Sequence, residues 1–240
     1  MKVAYKTDIG RKRMHNEDSI LVDGPMNIFL LADGMGGHQA GEVASELAVK
    51  ECYTWLKENL GNARSEEDIS KLLMESLSKA NNTVKERSTT DINLMGMGTT
   101  LIQMLIIRDI ACICHVGDSR AYLLREGIKL ITRDHTAEMY VVKKSVVVGG
   151  YLPLQKMRVL TQAVGGQKTL EPGLEHVKLK PSDILLLCSD GLTDMLSDKE
   201  IGSIIQKYRD DLTAAVDNLI HEANNKGGVD NISVILIEYE

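Results

Sequence analysis

The amino-acid sequence predicts an α+β protein in which antiparallel β-sheets pack together and α-helices cover the outside. Strand patterns occur in blocks along the chain, and helical patterns occur in consecutive pairs between those blocks. Short turns at Arg108-Asp109 and Glu126-Gly127 join neighbouring strand segments, which is typical of an antiparallel meander and not of a βαβ series. The chain has 240 residues, of which 43% are apolar and 26% are charged, so it is large enough to bury an ordinary globular core.

The first third of the chain is predicted to contain three strands followed by two helices. Between residues 42 and 56 the spacing of apolar residues changes to that of one face of a helix. Ser65 and Asp68 resemble a capping box, which opens a second helix that carries apolar residues as far as Val84. The three strands are predicted over residues 3–8, 19–23 and 28–32.

The rest of the chain is predicted to contain further strands, an excursion and a second pair of helices. Ser197 and Glu200 have the spacing of a capping box that opens a helix through Tyr208, and another helix covers residues 212–225. Residues 135–166 have weak periodicity, and we predict a mobile, partly helical excursion there. The remaining strands are predicted over residues 98–107, 111–116, 121–125, 128–132, 174–179, 184–189 and 232–239.

Four aspartates stand beside small or turn-forming residues at the edges of apolar strand segments. A strand that ends in an Asp-Gly turn would explain Asp33 taken alone, but the recurrence of the pattern favours a common site. Carboxylates that are brought together repel one another and need protons or cations as compensation. Because these oxygen donors come without a Cys or His ligand set, they favour Mg²⁺ or Mn²⁺ over zinc and predict a two-metal carboxylate site. The four residues are Asp33, Asp118, Asp190 and Asp230.

The composition argues against several other classes of protein. The net charge is −6, and the sequence has no basic stripe interleaved with aromatic residues, so no affinity for nucleic acid is expected. No segment approaches the roughly 18 apolar residues that span a bilayer, and the N-terminus lacks the apolar core of a signal peptide. We therefore expect a cytoplasmic protein without a membrane partner. The four cysteines lie mostly in apolar segments, which predicts buried, reduced thiols.

The aspartates belong to a longer series of motifs. Upstream of them, Arg13 offers a forked cation suited to a phosphate, and it is followed by two adjacent acids. The motifs, in chain order, are Arg13-x-x-Asn16-Glu17-Asp18, Asp33-Gly34-Met35-Gly36-Gly37-His38, Gly96-Met97-Gly98-Thr99-Thr100, Val116-Gly117-Asp118-Ser119-Arg120, Ser189-Asp190-Gly191 and Asp230-Asn231.

This ordered set resembles the bacterial type 2C protein phosphatases, the PPM family of metal-dependent serine/threonine phosphatases. The resemblance spans nearly the whole chain, and the order and spacing of the motifs are far more specific than any single motif. It implies a sandwich of two antiparallel β-sheets flanked by pairs of α-helices. It also implies one phosphatase catalytic domain over residues 1–240, with a flap at about residues 135–166 that gates the site.

The resemblance implies a metal role for five residues. Asp33 is expected to bridge two ions, and the backbone carbonyl of Gly34 to bind one of them. Asp190 and Asp230 are expected to complete the shell of the second ion. Asp118, together with Asp190, is expected to hold the third, weaker ion that occurs in bacterial members of the family. The cofactors implied are therefore Mn²⁺ or Mg²⁺, as two ions with a third.

Other residues are expected to act on the substrate and on water. The resemblance implies that Arg13 clamps the substrate phosphate and that Glu17 and Asp18 act on metal-bound waters. In eukaryotic relatives a His directly after Asp-Gly is the favoured proton donor to the leaving oxygen, but Met35 stands in that place here. His38, three residues later, is the candidate for this general acid, and a metal-bound water is the alternative.

The flap is where the sequence departs from the family. In familiar bacterial members the flap carries several acids and ends in a pattern like Asn-x-x-Thr-Arg-Ala-x-Gly. Here Arg158 and Gln162 replace the Asn and the Arg, and no acid occurs between Glu138 and Gly166. A basic flap favours acidic phosphosites or a partner surface, whereas ordinary variation of loops would explain the same departure.

The resemblance implies hydrolysis of phosphoserine and phosphothreonine in proteins by a metal-activated water. The partners expected are phosphorylated proteins, the substrates of a cytosolic serine/threonine kinase that the enzyme opposes, and we expect a monomer. The alternative is a catalytically weak or inactive relative that binds phosphoproteins as a regulatory module. The presence of Asp33, Asp118, Asp190 and Asp230 argues against that alternative, because inactive relatives usually lose metal ligands.

Overall fold

A computed structural model describes residues 1–36, 40–63, 65–142, 154–166 and 169–240. Within these ranges it contains thirteen strands and five α-helices, in the order in which the sequence analysis places its blocks. The strands are β1 (Lys2–Asp8), β2 (Asp18–Asp23), β3 (Ile28–Met35), β4 (Gly98–Thr99), β5 (Leu101–Ile107), β6 (Ile110–Val116), β7 (Arg120–Leu124), β8 (Ile128–Leu130), β9 (Thr136–Val142), β10 (Leu154–Leu160), β11 (Gly173–Lys178), β12 (Ile184–Cys188) and β13 (Ile232–Glu238). The helices are α1 (Ala40–Asn59), α2 (Glu66–Thr90), α3 (Asp190–Thr193), α4 (Asp198–Lys207) and α5 (Leu212–Asn225).

Two antiparallel sheets form the centre of the molecule. One has five strands in the order β1-β13-β12-β7-β8, and the other has six, in the order β11-β6-β5-β3-β2 with β4 paired to β3. The first and last strands of the chain pair along their whole length, with Lys2 opposite Glu238 and Asp8 opposite Ile232. The α+β sandwich predicted from the sequence is therefore confirmed.

Alternation along the strands divides the apolar residues between two faces of each sheet. In β3, Ile28 and Leu30 belong to a core that the six-stranded sheet shares with α1 and α2. Phe29 and Leu31, which point to the opposite face, pack instead in the core between the two sheets. A third core lies between the five-stranded sheet and the helices α4 and α5. Both faces of β3 are buried, so the strand reads as an unbroken apolar run.

The helices α2 and α4 begin at the capping boxes that the sequence predicts. Ser65 caps α2 and accepts a hydrogen bond from the backbone of Asp68, whose side chain returns one to Ser65. Ser197 and Glu200 form the same reciprocal pair at the start of α4. Among the described residues, no helix has both the length and the apolar content that a bilayer crossing requires. All four cysteines are free and buried, as predicted.

The structure differs from the sequence prediction at three places. The predicted strand over residues 98–107 is interrupted at Thr100, whose backbone and side chain both bond to Asp33. The short helix α3, which starts at Asp190, was not predicted. In the excursion, β9 and β10 form a separate two-stranded sheet, so the prediction of partly helical structure is wrong for the described residues. Residues 143–153 of the excursion lie outside the described ranges.

Candidate active site

Asp33 is delivered to one edge of the sandwich by β3, opposite Asp18 of β2 in the strand register. Thr99 and Thr100, at the break between β4 and β5, bond to the backbone amide and carbonyl of Asp33. The amide of Asp33 donates to Thr100 Oγ1 at 2.9 Å, and its carbonyl accepts from the Thr100 amide at 2.8 Å and from Thr99 Oγ1 at 2.9 Å. Thr100 Oγ1 also bonds Ser119 Oγ at 2.8 Å, next to Asp118. The backbone of Asp33 is therefore fixed before any ligand binds.

Replacing Thr100 by Val keeps the shape of the side chain but leaves the buried amide of Asp33 without its acceptor. We expect the substitution to lower the free energy of unfolding by about 1–3 kcal/mol, the cost of an unsatisfied buried donor. We expect kcat to fall about tenfold with little change in KM, because a shift of catalytic groups costs rate even when substrate still binds. Denaturant unfolding and steady-state kinetics measure the two effects, and Thr100→Ser, which keeps the hydroxyl, is the matched control. An unchanged kcat in Thr100→Val would show that this bond does not position Asp33.

Gly34 allows the end of β3 to approach its neighbours closely. A Cβ atom at this position would overlap the backbone carbonyl of Gly41 at the start of α1, and would lie 2.6 Å from the backbone carbonyl of Glu17. The Gly34 amide donates to that Glu17 carbonyl at 3.0 Å. Any side chain at position 34 would therefore separate Asp33 from Glu17 and from α1.

Asp190 arrives from the other sheet, at the point where β12 passes into α3. Ser189, the residue before it, donates from Oγ to Asp18 Oδ2 at 2.8 Å. This bond joins the ends of β12 and β2, so the carboxylates of Asp18, Asp33 and Asp190 come together at the same edge of both sheets.

Asp18 is buried, Asp33 and Asp190 are partly buried, and the three carboxylates repel one another. Asp33 interacts electrostatically with both Asp18 and Asp190. Burial raises the pKa of Asp18 to about 6. Burial, and then the charge of Asp118, raises the pKa of Asp190 to about 7. Burial, and then the charges of Asp18 and Asp190, raises the pKa of Asp33 as well. The cluster therefore holds more negative charge than the protein around it compensates.

Asp230 lies at the entrance of this cluster and pairs with Arg13. The Arg13 Nη2 atom is 2.5 Å from Asp230 Oδ2, and the Arg13 side chain is 47% exposed. Burial, opposed by the charge of Arg13, raises the pKa of Glu17, which also feels the charge of Asp230. Arg13 thus stands at the boundary between the acids and solvent.

Asn231 holds the loop that carries Arg13 and Glu17. Its Oδ1 accepts from the Glu17 amide at 2.9 Å, and its Nδ2 donates to the carbonyls of Ile9 at 2.9 Å and His15 at 3.0 Å. The motifs of the sequence include Asn231 and Ser189 but predict no role for either residue. The one feature of the sequence that points to a role is that they stand directly beside Asp230 and Asp190.

Asp118 lies beyond Asp190, after β6, and pairs with a flap residue. Arg158 Nη2 in β10 is 3.1 Å from Asp118 Oδ2. Burial raises the pKa of Asp118, and the hydrogen bond and charge of Arg158 oppose that rise. The predicted general acid, His38, lies outside the described residues, as do Gly37 and Gln39.

The donor atoms fit a hard divalent cation. Within the described ranges, no three His, Cys, Asp or Glu side chains are already arranged as ligands around one ion. Asp230 is instead bonded to Arg13, and Asp118 is bonded to Arg158. Two buried oxygens, Asp18 Oδ1 and Asp190 Oδ1, have no hydrogen-bond donor among the described residues. An oxygen-only donor set with surplus negative charge and partnerless oxygens is suited to Mg²⁺ or Mn²⁺.

Comparison with known proteins gives a consistent result over the whole chain. The family model for protein phosphatase 2C matches residues 10–227. The chain is 36% identical, over 243 residues, to the serine/threonine phosphatase stp of Listeria monocytogenes, covering 99% of this chain and 96% of that protein.

Solved structures agree in fold. The serine/threonine phosphatase PstP/Ppp of Mycobacterium tuberculosis superposes with a TM-score of 0.82 at 32% identity, covering 100% of this chain and 98% of that one. The catalytic domain of the serine/threonine protein phosphatase PstP in complex with two manganese ions superposes with a TM-score of 0.79 at 30% identity, covering 99% and 97%. The chain therefore belongs to the protein phosphatase 2C family, as its motifs indicate, and is a protein-serine/threonine phosphatase of the bacterial type.

Proposed function

We propose that this enzyme hydrolyses phosphoserine and phosphothreonine in proteins at a binuclear Mn²⁺ or Mg²⁺ centre, and that it opposes a cytosolic serine/threonine kinase. The observation that carries the proposal is the cluster formed by Asp18, Asp33 and Asp190. Two of its carboxylate oxygens are buried without a hydrogen-bond donor among the described residues, and burial together with mutual repulsion raises the pKa values of all three carboxyl groups. Such a cluster is costly for a metal-free protein. It becomes favourable when divalent cations bind there.

Four groups would hold the two ions: the carboxylates of Asp33, Asp190 and Asp230 and the backbone carbonyl of Gly34. The ions would supply a water of lowered pKa and positive charge to offset that of the phosphate. The rigid backbone around Asp33 supports this assignment, because a bridging ligand must stay in place while substrate and product exchange. Arg13 must leave Asp230 when that carboxylate takes up its role as a ligand, and its guanidinium then faces solvent at the entrance.

The remaining residues position substrate and water. Arg13 binds the substrate phosphate, because a guanidinium offers two parallel N–H donors to phosphate oxygens. Asp18 is oriented by Ser189 through Oδ2, which leaves Oδ1 to accept a hydrogen bond from water. Glu17, with its raised pKa, is suited to hold or pass on a proton at the entrance. His38 remains our candidate for the proton donor to the leaving oxygen.

The same proposal treats residues 1–240 as one catalytic domain with its flap at about residues 135–166. The enzyme acts as a monomer on protein substrates, and the net charge of −6 argues against nucleic acid as a partner. The fold supports a single unit, because the first and last strands of the chain pair and both sheets contribute carboxylates to one site.

Hydrolysis of p-nitrophenyl phosphate and of a phosphothreonine peptide tests the proposal. We expect turnover with Mn²⁺ or Mg²⁺ and none with EDTA, and a loss of about 10³-fold in kcat for Asp190→Asn. Asp109→Asn is the matched control, because Asp109 is an exposed aspartate that pairs with Lys178 away from the cluster. Folded wild-type protein that fails to turn over either substrate with any divalent metal would overturn the proposal and favour a phosphoprotein-binding role.

A further inference from the structure

Arg158 connects the flap with the acidic site. It lies in β10, which pairs only with β9 among the described strands. Its Nη2 atom is 3.1 Å from Asp118 Oδ2 and 3.0 Å from Asp134 Oδ2. The two aspartate side chains are only 12% and 14% exposed, whereas the Arg158 side chain is 41% exposed, so the carboxylates are shielded from solvent and the guanidinium approaches them from the surface.

Arg120 completes a closed cluster of charges. Its Nε and Nη2 atoms bond both carboxylate oxygens of Asp134, at 2.7–3.2 Å. Asp134 therefore accepts from two guanidinium groups, and Asp118 accepts from one of them. The cluster contains two arginines and two aspartates, so its formal charges cancel. In contrast, Asp18, Asp33 and Asp190 have no cation of this kind bonded to them among the described residues.

We propose that Arg158 takes the place of the third metal ion in this enzyme, so that the site binds two ions and not three; the inference rests on the proposed function for those two. A dication at Asp118 would have to displace a guanidinium that bonds two carboxylates at once. It would then lie a few ångströms from Arg158 and Arg120, whose charges repel it. The neutral charge balance of the cluster removes the reason for a cation to bind there.

The departure of this flap from the family pattern is consistent with such a replacement. Arg158 stands where the flap pattern of familiar bacterial members has a neutral Asn, which has no charge to offer to Asp118. The flap is joined to the body near the same point, where the His135 amide donates to the carbonyl of Gly117, the residue before Asp118, at 2.9 Å. The side chain of Arg158 thus links the flap to Asp118 without a metal bridge.

Counting the ions bound by the full-length protein tests the inference. Isothermal titration with Mn²⁺ and equilibrium dialysis should give two ions per chain for the wild type. Arg158→Asn should admit a third, weaker ion, with at least a tenfold gain in affinity over any residual binding to the wild type. The double variant Arg158→Asn with Asp118→Asn should return to two ions, which would place the third at Asp118. Electron paramagnetic resonance of bound Mn²⁺ gives an independent count.

Lys156→Asn is the matched control. Lys156 lies two residues before Arg158 on the same strand, and its substitution by Asn likewise removes one positive charge. The Lys156 Nζ atom, however, pairs with Glu138 at 2.5 Å and not with Asp118. This variant should bind two ions like the wild type. Three ions in the wild type, or only two in Arg158→Asn, would overturn the inference while leaving the proposed function intact. Fewer than two in the wild type would overturn the proposed function and the inference with it.

Discussion

Replacing Asp33 by Asn is expected to lower kcat for phosphopeptide hydrolysis by about 10³-fold or more while the protein remains folded. Asn has nearly the shape of Asp, and the hydrogen bonds to Thr99 and Thr100 involve only the backbone of residue 33. The fold therefore loses nothing that holds β3 in place. The site loses the one carboxylate that we propose as a ligand of both ions.

The same substitution is expected to stabilise the metal-free protein. The Asn amide carries no charge and can donate hydrogen bonds to Asp18 and Asp190, so the repulsion that raises the pKa of Asp33 disappears. A higher Tm than that of the wild type is therefore expected in EDTA at pH 7.5. If Asp33→Asn has a lower activity and a higher Tm than the wild type, the Asp33 carboxylate serves function and does not stabilise the fold.

Calorimetry in EDTA and single-turnover kinetics with Mn²⁺ measure the two effects of Asp33→Asn. Asp109→Asn serves as the control for both, because its carboxylate is exposed and far from the cluster, and it should leave kcat and Tm unchanged. Activity of Asp33→Asn within tenfold of the wild type would remove Asp33 from the proposed centre. A Tm lowered by several degrees would show that the carboxylate stabilises the fold.

The metal-free protein is also expected to lose stability as the pH rises from 4 to 8. The pKa of Asp18 is raised to about 6 and that of Asp190 to about 7, so the folded state binds more protons than the unfolded state in this window. These two carboxyl groups therefore lower the free energy of unfolding as the pH rises, by roughly 3–7 kcal/mol together. Below the unfolded pKa of about 4 both carboxyl groups are protonated in either state and the penalty is absent.

Urea unfolding between pH 4.5 and 8 with EDTA, and again with saturating Mn²⁺, measures this dependence. Mn²⁺ should abolish the decline, since the ions compensate the carboxylates and bind only the folded state. Asp190→Asn should flatten the decline in EDTA. A free energy of unfolding in EDTA that does not fall between about pH 6.5 and 8 would contradict the charge surplus assigned to the cluster.

Acids held by ion pairs behave in the opposite way and titrate at lower pH. Burial would raise the pKa of Asp183, but its hydrogen bonds, chiefly to Arg125, outweigh burial and lower it. Its contribution to stability is therefore present above the unfolded pKa and is lost only in more acidic solution. Burial lowers the pKa of His115 to about 4, so this residue makes stability rise with pH between about 4 and 6.5. The part of the window above about pH 6.5 therefore reports most clearly on the carboxylate cluster.

The regular elements could be predicted from the sequence because local signals define them. The two capping boxes fixed the starts of α2 and α4, and unbroken apolar runs marked β3 and β12, which are buried on both faces. The aspartates could be predicted as a group because each stands beside a glycine or a small residue at a strand edge. The long-range register that places Asp18 opposite Asp33 has no local signal.

Other features depend on contacts between distant parts of the chain. The flap strands β9 and β10 show no clear alternation of apolar and polar residues, because their described parts pack mainly on each other. The sequence pattern therefore did not predict a sheet there. The break at Thr100 follows from its bonds to Asp33, 67 residues away in sequence. The pairs Arg13–Asp230 and Arg158–Asp118 join residues that the sequence shows only as separate charges.

Anomalous diffraction from crystals of the full chain grown with Mn²⁺, recorded at the manganese edge, shows directly whether two metal ions bind at the carboxylate cluster. We expect two strong peaks within the cluster, both in contact with Asp33 and with Asp190 and Asp230 as further ligands, and no peak at Asp118 while Arg158 is present. The same crystals of Asp33→Asn should lose both peaks. Ordered crystals of active protein without manganese at Asp33 would contradict the account.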